Sequence, residues 1–326
     1  MDLVALSQDY LRLGRKTFGQ SGSSLHNLAR HLVNVGVAAP ESTTAVTKAK
    51  VPIVKFIDKR TGIKVDISFE NDSGIIANGT FQNWKAQYPA MPTLVVLIKQ
   101  MLHMRGLNEV FSGGIGGFTT ICLVVSMMQR MPELQSANMD PQQHHGDLLM
   151  NFLDLYGNRF NVERTGIVME PPRYFDKHFE PHPRQSNKGL TIVDPNRADN
   201  DISGGSREIV AVLDTFRDAH SALQRRLAEL YSGKSMSGSV LGCILGGNYD
   251  LFTRQREKLS MLHRGYAVSP PPLPPPPQKK LKQKTLPTKP KPKQQKKQKP
   301  DLMSLYQPPP EPAAPGYVYP SAPPPY

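Results

Sequence analysis

The sequence has few cysteines and no long apolar segment, and both shortages narrow the class of protein. Only two cysteines occur in 326 residues, too few for a disulfide framework or a cysteine-rich metal site, so we expect Cys122 to be a buried thiol and Cys243 an incidental one. The longest plausible apolar run, Phe118 to Met128, is too short to span a bilayer. Residues 1–15 lack the basic-then-apolar order of a signal peptide. These absences favour a soluble, intracellular protein without a membrane partner.

Acidic residues are scarce at one end of the chain. Residues 269–326 contain ten lysines and two acidic residues, a net charge of +8, and they hold 20 of the 31 prolines. The other 268 residues carry only +5, from 30 basic and 25 acidic residues. The overall charge therefore does not indicate a basic nucleic-acid-binding fold. A segment so rich in proline and lysine cannot bury enough apolar surface to offset its conformational entropy, so we predict a disordered tail.

Two features of this tail are typical of partner-binding segments. All ten lysines lie between Lys279 and Lys299, which fits a nuclear-import signal, a phosphate-binding arm or a solubilising segment. Pro270–Pro277 and the closing Pro323–Tyr326 favour polyproline II geometry, which WW and SH3 domains bind. We expect a nuclear, including nucleolar, location and a weaker tendency to bind WW or SH3 proteins.

Two β-rich segments flank a polar turn and predict a hairpin at 51–70. In the second segment, apolar residues alternate with polar ones, so the two sets should lie on opposite faces of the strand. The two sets are Ile63, Val65, Ile67 and Phe69 against Lys64, Asp66 and Ser68. On spacing alone, Asp66 is an ordinary residue of the polar face.

Helical patterns dominate the middle of the chain. The spacing of apolar residues predicts helices at 25–35, 79–88, 93–105, 118–131, 146–156 and 207–230, and strands near 166–169 and 190–193. In the last helix an apolar stripe includes His220, which we interpret as a core or boundary residue, and Ser206 is the predicted N-cap. Residues 20–24 are predicted to be flexible.

The loop at 112–117 reads Ser-Gly-Gly-Ile-Gly-Gly. It lacks the Gly-Lys-Ser/Thr ending of a phosphate-binding P-loop. Its glycines instead indicate a close approach between two stretches of backbone, because a residue without a β-carbon fits there.

The hairpin sequence VPIVKFID…GIKVDISFEN resembles the strand pair that carries the third catalytic aspartate of the nucleotidyltransferase superfamily. Within it, the chain resembles the nuclear, noncanonical poly(A) polymerases of the TRAMP type from about residue 2 to about residue 230. Gly146–Gly157 resembles their poly(A)-polymerase-associated block. The resemblance implies an α+β fold with a partial nucleotidyltransferase palm at 1–75 and a mainly helical central domain at 76–235. A linker with a short helix would follow at 236–268, then the tail at 269–326.

The resemblance also implies a metal site. Asp66 matches the third aspartate of the family. Asp2, in Asp2-Leu3-Val4, matches the second aspartate of the Ser-Asp-Ile-Asp motif, with Met1 between the two aspartates of that motif. The family uses these carboxylates to hold Mg²⁺ or Mn²⁺. The sequence contains neither the first aspartate nor the Gly-Ser segment that precedes it, so we expect an N-terminally truncated form.

The same resemblance assigns a site for ATP. Asn78 would contact the sugar, Lys99 the triphosphate, and Phe118, beside Gly117, the base. In the segment 194–203, Asp199 or Asn200 would approach the base edge. Each has a simpler interpretation: a turn before a helix for Asn78, a solvated lysine for Lys99, a core anchor for Phe118, and an Asx-rich loop that caps the next helix for 194–203.

The resemblance implies template-independent addition of AMP from ATP to RNA 3′ ends, for nuclear RNA surveillance and exosome-linked decay. The family's nuclear members work with a zinc-knuckle RNA-binding protein and a helicase. Because one carboxylate is missing, a second hypothesis is a catalytically inactive scaffold that binds partners. A third is an adaptor that binds RNA or WW domains through the tail.

Overall fold

The computed structural model describes residues 1–16, 18, 21–49, 51–182, 189–233 and 238–265. Met1–Pro270 forms one compact unit. The second unit, Pro271–Tyr326, lies outside the described residues, so the predictions made for the lysine- and proline-rich tail are not addressed by the structure. Within the described ranges, no helix combines the length and the apolar character that crossing a bilayer requires.

The predicted hairpin lies at the centre of an N-terminal sheet. Its strands, β3 (Ile53–Ile57) and β4 (Lys64–Phe69), pair antiparallel. Strand β1 (Asp2–Ala5) pairs in parallel with the other edge of β4, and β2 (Thr44–Val46) pairs with β3. The sheet therefore has the order β1-β4-β3-β2.

The alternation predicted for β4 is confirmed. Val65 and Phe69 are buried, whereas Lys64 is exposed. Two helices, α1 (Gln8–Leu13) and α2 (Gly22–Asn34), follow β1, and α2 packs Leu25 against the sheet. The apolar face of the sheet thus forms its own small core beneath α2, and the polar face stays accessible.

A larger, mainly helical part follows. Helix α5 (Gly117–Gln129) is buried along most of its length, as expected for an element that is surrounded by others. A π-helical turn, Leu155–Arg159, extends the helix that carries the poly(A)-polymerase-associated block. The helices are α3 (Ser73–Gln87), α4 (Met91–His103), α5 (Gly117–Gln129), α6 (Pro132–Gln135), α7 (His145–Asp154), α8 (Ile209–Tyr231), α9 (Gly242–Leu245) and α10 (Asp250–Gly265).

A second sheet lies against these helices. Its strands are β5 (Thr165–Met169), β6 (Pro172–Asp176), β7 (Ile192–Asp194) and β8 (Arg197–Asp201), in the order β6-β5-β7-β8. β5 and β7 confirm the two predicted strands. The α+β architecture is therefore as predicted, and the domain boundary proposed at residue 75 falls inside α3.

Several local predictions were wrong. Residues 20–24 are not a flexible stretch throughout, because α2 begins at Gly22 and the Ser21 hydroxyl accepts a hydrogen bond from the Ser24 amide. Ser206 is not the N-cap of α8. The helix begins later, at Ile209. The preceding residue, Glu208, donates its amide to the Gly113 carbonyl at 2.8 Å.

The segment 236–268 is more than a linker with a short helix. The predicted short piece exists as α9, with Ile244 buried, but the 16-residue α10 follows it. Helix α10 is tied to the N-terminal hairpin, because the Gln255 side chain donates to the Gly62 carbonyl at 3.0 Å. Charged and polar residues fill most of its sequence, so few apolar residues marked it as a packed helix.

Both cysteines are free thiols, as predicted. Cys122 is buried in α5, and this burial raises its pKa well above the usual value. A thiol that stays protonated is a poor nucleophile and a poor metal ligand. Cys122 is therefore a core residue, and Cys243 is exposed.

Candidate functional site

The two predicted metal ligands are neighbours in the N-terminal sheet. Asp2 on β1 and Asp66 on β4 are directly paired across the parallel ladder, and the Asp66 amide donates to the Met1 carbonyl at 2.9 Å. Paired residues on adjacent strands present their side chains on the same face. Asp2 is exposed and the Asp66 side chain is one-third exposed. The sheet thus places two carboxylates side by side on its accessible face.

A lysine that the sequence analysis did not single out completes this arrangement. Lys55 on β3 is paired with Asp66 across the antiparallel ladder, and its Nζ lies 3.3 Å from Asp66 Oδ2. Its position could have been inferred from the hairpin only with the register of the two strands known, because that register places Lys55 opposite Asp66. We call Asp2, Asp66 and Lys55 the charged row.

The two carboxylates of the charged row fit a hard divalent cation. Mg²⁺ is commonly held by one or two carboxylates, with water and substrate phosphates filling the other positions. Within the described ranges, no group of three or more His, Cys, Asp or Glu residues is arranged to hold a metal. A cation at this site would therefore take its protein ligands from Asp2 and Asp66 and would depend on phosphate oxygens for the remainder.

A cavity of about 740 Å³ lies between the start of α5 and strand β8. Three of the residues predicted to bind the nucleotide line it, namely Gly117, Phe118 and Asn200. Asp199, the alternative to Asn200, is exposed, does not line this cavity and pairs with Arg197 at 3.1 Å. The structure therefore favours Asn200 over Asp199 as the residue that faces a ligand.

Lys99 reaches the same region from α4. A β-carbon built on Gly117 would lie 3.2 Å from Lys99 Nζ, so the ammonium group lies over the first turn of α5. The amides at a helix N-terminus attract anions, and a neighbouring ammonium adds to that attraction. Glycine at 117 leaves room for this approach, and the arrangement is suited to a phosphate group.

Phe118 packs as the core anchor considered for it, and its contact with the base stays a prediction. Its ring stacks on Trp84 of α3, with centroids 6.3 Å apart and an angle of 16° between the planes. It is only half-buried, packs on the main core and also lines the cavity. Trp84 thus holds Phe118 in place, while part of the ring remains accessible.

Asn78 is not among the residues that line this cavity. It is exposed on α3, where the Gln82 side chain donates to its Oδ1 at 3.5 Å. With 1.5 Å of rise per residue, it lies about 9 Å from Trp84 along the helix axis, toward the N-terminal sheet. The interpretation of this residue as a turn before a helix is wrong, since α3 already begins at Ser73.

The polar segment 194–203 forms a hairpin strand rather than a helix-capping loop. Asn200 Nδ2 donates to Asp194 Oδ2 at 2.9 Å. The next residue, Asp201, accepts hydrogen bonds from the amides of Ile192 and Ser203 through Oδ1. The buried Asp201 fixes the end of β8, and this positions Asn200 at the wall of the cavity.

Family models match two parts of the chain, which include the charged row and Asn200. Residues 1–85 match the model described as "Poly(A) RNA polymerase, mitochondrial-like, central palm domain", and residues 145–200 match "Cid1 family poly A polymerase". A solved structure described as the polymerase core of TRAMP, an RNA surveillance complex, is 34% identical, with a TM-score of 0.63. The match covers 69% of this chain and 71% of that one. The chain belongs to the noncanonical poly(A) RNA polymerases.

The curated relatives of this noncanonical poly(A) RNA polymerase are longer than the part of them that the chain matches. Poly(A) RNA polymerase protein 2 of Saccharomyces cerevisiae is 36% identical in an alignment that covers 68% of this chain and 40% of the relative. The "Inactive non-canonical poly(A) RNA polymerase protein Trf4-2" of Drosophila melanogaster is 31% identical in an alignment that covers 68% of this chain and 54% of the relative. The chain thus spans about half, or less, of the length of these relatives.

Proposed function

We propose that the protein adds AMP from ATP to the 3′ ends of RNA without a template. The observation that carries this proposal is the pairing of Asp2 with Asp66 across β1 and β4, which supports a cation site on the open face of the sheet. The cavity lined by Gly117, Phe118 and Asn200 supports a nucleotide site in the same compact unit.

Nucleotidyl transfer depends on positioning the substrates and on neutralising their charge, and different residues would serve these two needs. A bound Mg²⁺ or Mn²⁺ would supply Lewis acidity toward the α-phosphate, lower the pKa of the attacking RNA 3′ hydroxyl and stabilise the pyrophosphate that leaves. Asp2 and Asp66 would hold the metal ion. Lys99 and the first turn of α5 attract the triphosphate, and Phe118 offers a face to the base. The side-chain amide of Asn200, which donates a hydrogen bond to Asp194, provides the polar groups that hydrogen-bond to the base edge.

We further propose that the protein works in the nucleus in a TRAMP-like assembly. RNA 3′ ends would be its substrates, and a zinc-knuckle RNA-binding protein and an RNA helicase its partners. The likeness to the TRAMP polymerase core supports this proposal. A role of the Pro-rich tail in binding WW or SH3 proteins stays a prediction.

An extension assay tests the proposed reaction. The 326-residue chain, and a longer form that carries a Gly-Ser segment and a further aspartate upstream, are incubated with an oligo(A) RNA, Mg²⁺ and each nucleotide triphosphate in turn. We expect a ladder of extended RNA with ATP and little extension with UTP. If neither folded form extends the RNA with any nucleotide, the proposed activity is wrong.

A second candidate is an inactive member of the family that binds partners. It is favoured by the similarity to the Drosophila relative described as inactive. Equilibrium binding separates the two candidates, because an active polymerase binds ATP with Mg²⁺, whereas the scaffold needs neither. ATP binding together with RNA extension by this chain would exclude the scaffold.

Replacing Lys99 by alanine should weaken ATP binding ~tenfold, the loss expected for one exposed charge pair. Adenosine, which lacks phosphates, should bind the variant and the unchanged protein equally well. Isothermal titration calorimetry with both ligands measures this difference. Lys59→Ala, which removes the same charge from the exposed hairpin turn, is the matched control. Equal losses for ATP and adenosine would contradict the assignment of Lys99 to the triphosphate.

A further inference from the structure

The charged row holds two carboxylates and one ammonium group on three adjacent strands. Asp66 is the central residue, paired through the backbone ladder with Asp2 on one side and with Lys55 on the other. Because three adjacent strands hold the three residues, their relative positions are set by backbone hydrogen bonds rather than by flexible loops. A cation between the carboxylates would share the face of the sheet with the ammonium group.

Lys55 engages only one side of the Asp66 carboxylate. Its Nζ lies 3.3 Å from Oδ2, and among the described residues no hydrogen bond reaches Oδ1. The pair is only partly exposed, with side-chain exposures of 38% for Lys55 and 33% for Asp66. Water therefore screens the pair less than it screens a fully exposed one.

We propose that Lys55 is a positioning residue that restrains Asp66 and weakens its hold on a divalent cation until a nucleotide is bound. The inference rests on the proposed function, since it needs Asp2 and Asp66 to be cation ligands. Lys55 contacts Oδ2, and Oδ1 would be available to a cation. The ammonium group offsets one of the two carboxylate charges, so the cation binds strongly only when triphosphate oxygens add their negative charge.

Removing this ammonium should strengthen cation binding in the absence of nucleotide. A positive charge close to a divalent cation repels it, even in a medium close to water, and the partial exposure of Lys55 reduces the effect. For Lys55→Met we expect the Kd for Mn²⁺ to fall about three- to tenfold. Lys55→Arg retains the charge and should keep the original Kd.

The experiment measures free Mn²⁺ by electron paramagnetic resonance during titration of the 326-residue chain without nucleotide. Lys59→Met is the matched control, since it removes a lysine from the exposed turn of the same hairpin. Circular dichroism verifies that each variant is folded, and Lys55→Gln replaces Lys55→Met if the latter is not. Tighter binding in Lys55→Met or Lys55→Gln, with unchanged binding in Lys55→Arg and Lys59→Met, supports the proposal.

Two contrary results are distinguishable. Unchanged or weaker Mn²⁺ binding in Lys55→Met would show that Lys55 does not weaken cation binding, and the inference would be overturned while the cation site stands. If Asp66→Asn binds Mn²⁺ as tightly as the unchanged chain, the cation is not held by Asp66. That result would remove the basis of the proposed function as well.

Discussion

Replacing Asp66 by asparagine should lower Mg²⁺-dependent addition of AMP to RNA ~1,000-fold or more. A metal ion contributes several kcal/mol to the stabilisation of transition-state charge, and each 1.36 kcal/mol corresponds to a tenfold change in rate. Asparagine has the same shape but cannot supply the negative charge, so Asp2 would be the remaining carboxylate of the pair. The measurement is single-turnover extension of a labelled oligo(A) RNA by the form of the protein that shows activity.

The control for this variant is Asp9→Asn, which removes the same charge from an exposed position on α1 in the same part of the chain. Its extension rate should equal that of the unchanged protein. Asp66→Asn should also keep its thermal unfolding temperature, because the Asp66–Lys55 pair is partly exposed and such pairs contribute little to stability. Retained activity in a folded Asp66→Asn variant would refute the assignment of Asp66 as a metal ligand.

The faces of the hairpin could be predicted from the sequence, but its cross-strand partners could not. A period of two assigns each residue to a face, and the burial of Val65 and Phe69 confirms the assignment. Which residue of β3 faces Asp66 depends on the register, which the turn and the paired hydrogen bonds determine together. The sequence therefore places Lys55 in a strand but does not predict that it pairs with Asp66.

Polar and short strands were the least predictable elements. Strand β8, with the sequence Arg-Ala-Asp-Asn-Asp, has no apolar alternation, and its formation depends on pairing with β7. Strand β1 has four residues and pairs with β4 across more than sixty positions of sequence. Such elements are stabilised by partners that are distant in the chain, so local patterns carry little information about them.

The glycine-rich loop, in contrast, was predicted correctly from its composition. Gly113 has a positive φ of 95°, and a β-carbon on Gly114 would lie 2.1 Å from the Leu107 carbonyl oxygen. That oxygen also accepts a hydrogen bond from the Ile115 amide at 3.0 Å, which fixes its position. Two stretches of backbone therefore touch at Gly114, between α4 and α5.

We expect Gly114→Ala to be strongly destabilising for this reason. The added methyl group overlaps backbone rather than a flexible side chain, so either the loop or the end of α4 must move, at a cost of about 3 kcal/mol. In a domain of this size the unfolding temperature should fall by roughly 6–12 °C. Differential scanning calorimetry measures the shift. Gly146→Ala, at an exposed position in the first turn of α7 with no atom near the added carbon, should unfold at the original temperature or slightly above it.

Gly114→Ala should also weaken binding at the nucleotide site, because the loop positions the first turn of α5 against Lys99. Below its unfolding temperature, Gly114→Ala should bind ATP more weakly than the unchanged protein, and Gly146→Ala should not. A normal unfolding temperature in Gly114→Ala would mean that the loop can relax around the methyl group. Weakened ATP binding in that stable variant would still show that the close approach at Gly114 sets the position of Lys99, Gly117 and Phe118.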